Sequence, residues 1–404
     1  MRYVPRITSL GGRSYKAEYL LSKGRVFGLE ESGGGLRPAY GLSQITVNNI
    51  PAAAQGIYFT SHNNLYVYNG GTVYRCTGAS NNFYLYASGF TARPSFAECH
   101  ENGEDFTIIC DGGKSVKAQS NTAGPDTCPP VRYAVVHCNR MFGIDTDDAR
   151  TIRWSEPGDV HGWDAGINGA GYVRLDALRG DISKLTVFDN KLVAVRQYGL
   201  TVLRAFGEAE SFRVDVTDTV TDGITADTVA VCAGKLCFFT PSGMYCYDGT
   251  VKKFEAEGLE GFGDVSCAAA CGGYYYAGGK LGGEDVIACI DVNGRSAGYI
   301  KAKATCMCGG GRVFFYGDGL YEIVRTAEQG SWESGPCDFG TPSKKFLCSI
   351  TAYGADTLTV ECGGRSRTYS GVNGEVKVGM EGREYSISAS CSQHLRSVCA
   401  KYSH

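Results

Sequence analysis

The feature that most restricts the fold of this chain is a hairpin that recurs. An apolar run, a two- to four-residue turn rich in Gly and Asn, and a second apolar or aromatic run make up FTSHNNLYVY (59–68), TIICDGGKSV (107–116), AVVHCNRMFGI (134–144) and TVFDNKLVAV (186–195). The same order returns in VAVCAGKLCFF (229–239), AAACGGYYYAG (268–278) and TCMCGGGRVFF (305–315). Gly and Asn tolerate the positive φ of tight hairpin turns, so each segment reads as two adjacent antiparallel strands. A second hairpin follows several of them: YNGGTVYRC after Tyr68, RQYGLTVLRAF after Val195, PSGMYCYDG after Phe239 and YGDGLYEIV after Phe315. Four short strands per unit result.

With Asn63, Gly112, Asn139, Asn190, Gly234, Gly273 and Gly310 as turn markers, the intervals are 49, 27, 51, 44, 39 and 37 residues. Their mean, about 41, is the size of a propeller blade. A four-stranded sheet of that size cannot cover its own apolar faces, whereas a ring of such sheets covers each face with a neighbour. The expected fold is therefore all-β: a β-propeller of six or seven four-stranded blades over residues 51–330. The short interval leaves the blade number open, with AGPDTCPPVR (123–132) as a candidate crossing loop. A β-sandwich pair or a β-solenoid is the competing reading.

From SWESGPCDFGTPSKKF onward the pattern changes to FLCSITAYG, TLTVECGG, RTYSG, EVKVGMEG, EYSISASC and RSVCAKYS, which predicts a small C-terminal β-sandwich over 331–404. Residues 1–50 are Gly-rich with little strand signal and read as an extended N-terminal segment, a candidate for the strand that closes the ring.

Composition supports a folded chain without a nucleic-acid stripe or polybasic patch. Hydrophobic residues make up 43% of 404 and charged residues 20%, and 39 basic against 42 acidic residues are spread without blocks of one sign. Eighteen cysteines would suit a secreted disulfide protein, yet the first residues lack the apolar core of a signal peptide and no run reaches transmembrane length. Several cysteines lie inside strand-like runs such as KLCFFTPSGMYCY, so the expectation is free, buried thiols made in a reducing cytosol.

The residues with chemical potential gather in RWSEPGDVHGWD (153–164), which holds Glu156, Asp159, Asp164 and His161 beside two of three tryptophans. Paired carboxylates can hydrolyse glycosides, but the repeated Ser-x-Asp-x-Gly-x-x-Trp loop and arginine triad of sialidase-like propellers are missing. The favoured reading is a structural loop: Trp154 and Trp163 anchor it by apolar burial, Pro157-Gly158 turns it, and Asp159 or Asp164 bonds backbone amides. DTDDAR (145–150) starts like a calcium loop but lacks its Gly and distal Glu. Cys306/Cys308, Cys267/Cys271 and Cys232/Cys237 do not form the paired knuckles of a zinc site. Neither nucleophile elbow, phosphate loop nor His-Glu-x-x-His is present, and no cofactor, metal or catalytic residue is assigned.

Several stretches resemble a family of β-propeller structural proteins of bacteriophage tails, the nozzle or tail-tubular proteins of short-tailed phages and related prophage proteins. The segment SLGGRSYKAEYLLSKGRVFGLEESGGGLRPAYGL is similar to the family's opening through Gly35, Leu36, Arg37 and Gly41. The most specific match is VRYAVVHCNRMFGIDTDDARTIRWSEPGDVHGWD, carried by Tyr133, Arg140, Arg153, Trp154, Ser155, Pro157, Gly158, Asp159 and Trp163. DISKLTVFDNKLVAVRQYGLTVLRAFG resembles the following blade, and SGPCDFGTPSKKFLCSI resembles the sandwich opening through Asp338, Phe339, Gly340 and Lys345. The high cysteine count departs from the better-known members.

The resemblance implies a non-catalytic component of a tail or head-to-tail junction, a rigid adaptor or ring subunit in the virion, made in the bacterial host cytoplasm. Its implied partners are other virion proteins and further copies of itself in a homo-oligomeric ring, with passing contact with phage DNA and no membrane. The alternatives are a receptor- or glycan-binding propeller, using exposed aromatics such as Tyr274 to Tyr276 or those of NNFYLY (81–86), and a glycoside-acting propeller enzyme.

Overall fold

The computed structural model describes residues 15–21, 24–77, 82–119, 122–220, 222–325 and 328–403. Gly11, Gly12 and Asn81, drawn on above, lie outside them. The chain divides into two compact units, one of residues 44–295 and 302–322, the other of 1–43, 296–301 and 323–404.

The first unit is the β-propeller. Five antiparallel four-stranded sheets follow one another along the chain: blade 1 from Gly56 to Ser88, blade 2 from Ser95 to Pro125, blade 3 from Arg132 to Arg174, blade 4 from Ile182 to Thr219 and blade 5 from Ala230 to Lys253. Blade 6 is the meander Phe262–Cys271, Tyr274–Leu281 and Glu284–Asp291. Blade 7, the sixth separate sheet of four, is Cys306–Cys308, Val313–Tyr316, Leu320–Val324 and Gly41–Gln44. The first strand of blade 6 lies between those of blades 5 and 7, and the first strand of blade 7 lies beside that of blade 1. The ring therefore has seven members.

Turn chemistry explains why the hairpins were visible. The first turns of blades 2 to 6 carry positive φ at both central residues, in Asn102-Gly103, Cys138-Asn139, Asp189-Asn190, Ala233-Gly234 and Gly272-Gly273. That backbone matches the right-handed twist of the flanking strands. The marker Gly112 proves to sit one hairpin late, in the turn between Glu104–Cys110 and Ser115–Gln119. Counted from Asn102, the intervals of 49 and 27 become 39 and 37, and the irregularity disappears.

What holds the ring is apolar surface between sheets. Tyr66, Tyr68, Val73, Ile109 and Val116 join blades 1 and 2; Phe142, Ile152, Leu185 and Leu192 join blades 3 and 4; Val193, Leu200, Leu236 and Phe238 join blades 4 and 5. Closure uses the same means, with Ile57, Val67 and Phe83 of blade 1 packed on Cys306, Phe314 and Leu320 of blade 7. The amide of Ile45 donates to the carbonyl of Leu320 (2.9 Å), so the segment before residue 51 does supply a closing strand.

The other unit is the β-sandwich. Lys345–Cys362 pairs along its length with Arg365–Gly382, while on its other edge the first half meets Ser397–Ser403 and the second half meets Tyr385–Cys391. The strand changes partner on that edge near a register shift between Tyr353 and Ala355. Gly354 occupies the shift at φ +83°, where a Cβ would lie 2.0 Å from the carbonyl oxygen of His394. Leu347, Ile350, Leu358, Val360, Val378, Ile387 and Val398 fill the core.

The expected boundaries at residues 50 and 330 do not coincide with these units. Tyr15–Tyr19 pairs with Ser397–Ser403 and Arg25–Phe27 with Gly330–Cys337, so strands from the first fifty residues are built into the sandwich instead of forming a separate extended segment. The reason is that both sandwich strands otherwise present open edges.

Candidate functional site

The loop from Trp154 to Gly171 in blade 3 gathers most of the residues singled out in the sequence. Both tryptophans are buried, in different places. Trp154 lies against Phe142 and Phe212, at 6.1 and 5.2 Å between ring centroids, and its Nε1 donates to Gly169 O (3.1 Å). Trp163 enters the apolar layer between blades 2 and 3 with Val160, beside Cys99, Ile108 and Met141, and its Nε1 donates to Val160 O (2.6 Å). Ser155 is buried, its Oγ accepting from Met141 N (3.0 Å) and donating to Glu156 O (2.9 Å). Arg140 is buried as well and ties the loop's two ends, one Nη1 donating to Ser155 O (2.9 Å) and Gly169 O (2.7 Å). Gly158 turns at φ +77° after Pro157, and its amide donates to Asn139 O (2.6 Å). Arg153 remains half-exposed, 3.6 Å from Asp145.

The carboxylates of the loop do different work. Glu156 accepts from the Asn168 side chain (3.0 Å), Asp164 is exposed, and Asp159 Oδ1 accepts from the amide of His161 (2.8 Å). His161 is brought to two acidic residues of blade 2 that no sequence pattern linked to it. Its Nε2 lies 3.2 Å from Asp126 Oδ1, while its Nδ1 lies 3.8 Å from Glu101 Oε2 and 3.6 Å from Asp159 Oδ1. Asp126 Oδ1 also accepts from Cys128 N (2.7 Å). Glu101, Asp159 and His161 could together hold a metal ion. The only signal in the sequence was the Asp-x-His step itself; the partners stand 33 and more residues away.

A second polar group lies along the first hairpins of blades 1 and 2. Glu98 accepts from Tyr58 OH (3.0 Å) and Ser61 N (3.1 Å). Asp105 is 2.7 Å from His100 Nδ1 and 3.4 Å from His62 Nε2, and the His100 contact holds its carboxyl below the usual range. At the ring's inner connections, Arg93 donates to Asp227 (2.6 Å), joining the start of blade 2 to the start of blade 5. Nearby Lys184 donates to Val229 O (2.9 Å), and burial pulls its ammonium down to about 8.

The remaining candidates resolve into scaffolding. In the turn at 145–150, Asp145 accepts from the amides of Asp147 and Asp148, and Asp148 accepts from Arg150 N (3.1 Å) and Arg174 Nε (2.6 Å). Amides and a guanidinium occupy these oxygens. All eighteen cysteines are free, and most are buried. Burial pushes the thiols of Cys232 and Cys306 up to about 12 and Cys267 up to about 11, which keeps them protonated and poor metal ligands. Tyr275, Tyr276, Phe83 and Tyr86 are buried in the sheets, while Tyr274 and Tyr84 of the same runs are half-buried. In the sandwich, Asp338 Oδ1 accepts from Gly340 N (2.9 Å), and Phe339 stacks on Tyr402 at 4.6 Å. The buried ammonium of Lys345 donates to the carbonyls of Thr341, Ser343 (2.9 Å) and Arg383 (3.3 Å).

No protein-family model matches this chain, and no curated protein matches it. Among solved structures it is similar to selenomethionine-substituted virginiamycin B lyase from Staphylococcus aureus, with a TM-score of 0.50 and 10% identity over 70% of this chain and 99% of that one. A streptogramin B lyase structure gives a TM-score of 0.49 and 10% identity, over 70% and 97% of the two chains. The extracellular domain of a putative one-component system from B. thetaiotaomicron gives 0.47 and 10%, over 84% and 55%. The first likeness is one of fold: propellers of this build include an enzyme, and identity this low transfers no chemistry.

Proposed function

We propose that this chain is a non-catalytic structural component of a bacteriophage tail or head-to-tail junction, acting as a rigid adaptor or ring subunit. The observation that carries the reading is the segment Tyr133–Trp163, which bears the most specific resemblance to the tail propellers. Its tryptophans, Arg140, Ser155 and Gly158 are engaged in joining the loop to blades 2 and 3. Its carboxylates bond an amide and an Asn side chain. Residues used in this way stiffen a body.

A component built into a larger particle needs surface for its neighbours. Ile167, Tyr172, Leu178, Phe206 and Val214 of blades 3 and 4 are exposed large apolar side chains. Tyr172 and Val214 belong to the outermost strands of their blades, where an open edge can also pair with another chain. On this reading the partners are other virion proteins and further copies of the chain, and the site of action is the virion.

Mass spectrometry of density-purified particles from the encoding phage or induced prophage tests the proposal. The chain is expected in the particles at a fixed ratio to the tail proteins, and as a ring-forming oligomer when purified alone. Particles that lack it, or turnover on a glycan panel that disappears in Glu156→Gln or Asp159→Asn, would overturn the proposal.

A further inference from the structure

The group around His161 has the layout of a metal centre. Its Nε2 lies 3.2 Å from Asp126, whose side chain is 6% exposed and is itself fixed by the Cys128 amide. A buried carboxylate in that position takes the Nε2–H as its hydrogen bond and leaves the Nδ1 lone pair free. Nδ1 then faces Asp159 Oδ1 at 3.6 Å and Glu101 Oε2 at 3.8 Å, distances too long for hydrogen bonds. Two ligand atoms that share a zinc-type ion at its usual bond lengths stand ~3.4 Å apart.

Glu101 adds an independent reason. Its side chain is only 13% exposed, and among the described residues its carboxylate meets no hydrogen-bond donor, only His161 Nδ1. A cation placed between this mostly screened carboxylate and its neighbours would offset their mutual repulsion. We propose that Glu101, Asp159 and His161 bind a divalent transition-metal ion of the zinc type, with Asp126 orienting the imidazole, and that the ion pins the blade 3 loop to blade 2. One imidazole nitrogen with two carboxylates favours such an ion over Ca²⁺ or Mg²⁺. The two carboxylates balance its charge, and the half-exposed side of Asp159 leaves room for a water ligand.

Co²⁺ is the probe, in the full chain carrying Cys138→Ser to remove the exposed thiol next to His137. The expected result is one Co²⁺ per chain with d–d absorption and no thiolate charge-transfer band, displaced by Zn²⁺ and accompanied by a higher melting temperature. His161→Ala is expected to abolish binding, and Glu101→Gln and Asp159→Asn to weaken it at least tenfold. Asp159 is exposed enough for its variant to fold, which melting in the absence of metal checks. His100→Ala, in the separate His62–His100–Asp105 group, is expected to leave the affinity unchanged. Absence of stoichiometric binding, a thiolate band, or binding lost in His100→Ala but kept in Asp159→Asn would overturn the site.

Discussion

Two turns of this molecule share a vocabulary of Asp, Gly, Pro and an aromatic ring, yet they are held by different forces. The blade 3 loop, 154–171, buries two indoles in separate apolar layers and has its polar ends tied by Arg140. The sandwich turn, 338–345, buries one phenyl ring and closes around an ammonium that faces three backbone carbonyls. The first removes two large apolar rings from water; the second places a charge where carbonyls converge. The difference teaches that turn composition announces a bend without saying what fastens it.

Substitutions can break that comparison. Trp154→Ala removes a ring packed on Phe142 and Phe212 and is expected to destabilise the protein by about 3–5 kcal/mol, read from the urea midpoint. A midpoint equal to wild type would mean that the loop is fastened elsewhere. Lys345→Met keeps the stem's volume and deletes the ammonium, which leaves the carbonyls of Thr341, Ser343 and Arg383 without that donor; about 2–3 kcal/mol is expected. If the methionine variant is as stable as wild type, the sandwich turn is apolar after all.

Asp111 sharpens the contrast with the opposite charge in the propeller. Its carboxylate accepts from the amides of Thr91, Ala92, Gly113 and Lys114, tying the entry of blade 2 to its second turn. Burial by itself would raise this carboxyl, but the amides outweigh burial and hold it below its ordinary value. A carboxyl lowered on folding stabilises above its unfolded pKa, and the contribution is lost as pH falls through the folded value. Asp111→Asn is expected to cost about 1–2 kcal/mol at pH 7. The gap from wild type should hold above about pH 4 and narrow as titrations move down through the lowered folded value, and a gap independent of pH would refute the assignment. Glu156→Gln, at a half-buried side chain that accepts from Asn168, is expected to change stability by less than about 0.5 kcal/mol.

The blades were legible because each hairpin carries its own turn residues and strand pattern within about ten positions. Gly112 misled for the same reason: the second turn of blade 2 has the same local chemistry as a first turn, and only pairing tells them apart. The burial of Trp154 and Trp163 could be read from residue type, since indoles this large seldom stay in solvent. The company of His161 could not. Glu101 ends one strand, Asp126 follows another, and the loop that carries His161 reaches them only when blades 2 and 3 pack.

Local sequence by itself determined the strands, their turns, the all-β class and the repeat that requires a ring, because hairpin formation depends on neighbours a few residues apart. Tertiary structure alone decided that strands from the first fifty residues complete the sandwich, that blade 7 takes its last strand from Gly41–Gln44, and that His161 faces three carboxylates. Those outcomes depend on which open edges and which apolar faces meet, and edges and faces exist only once the sheets have formed.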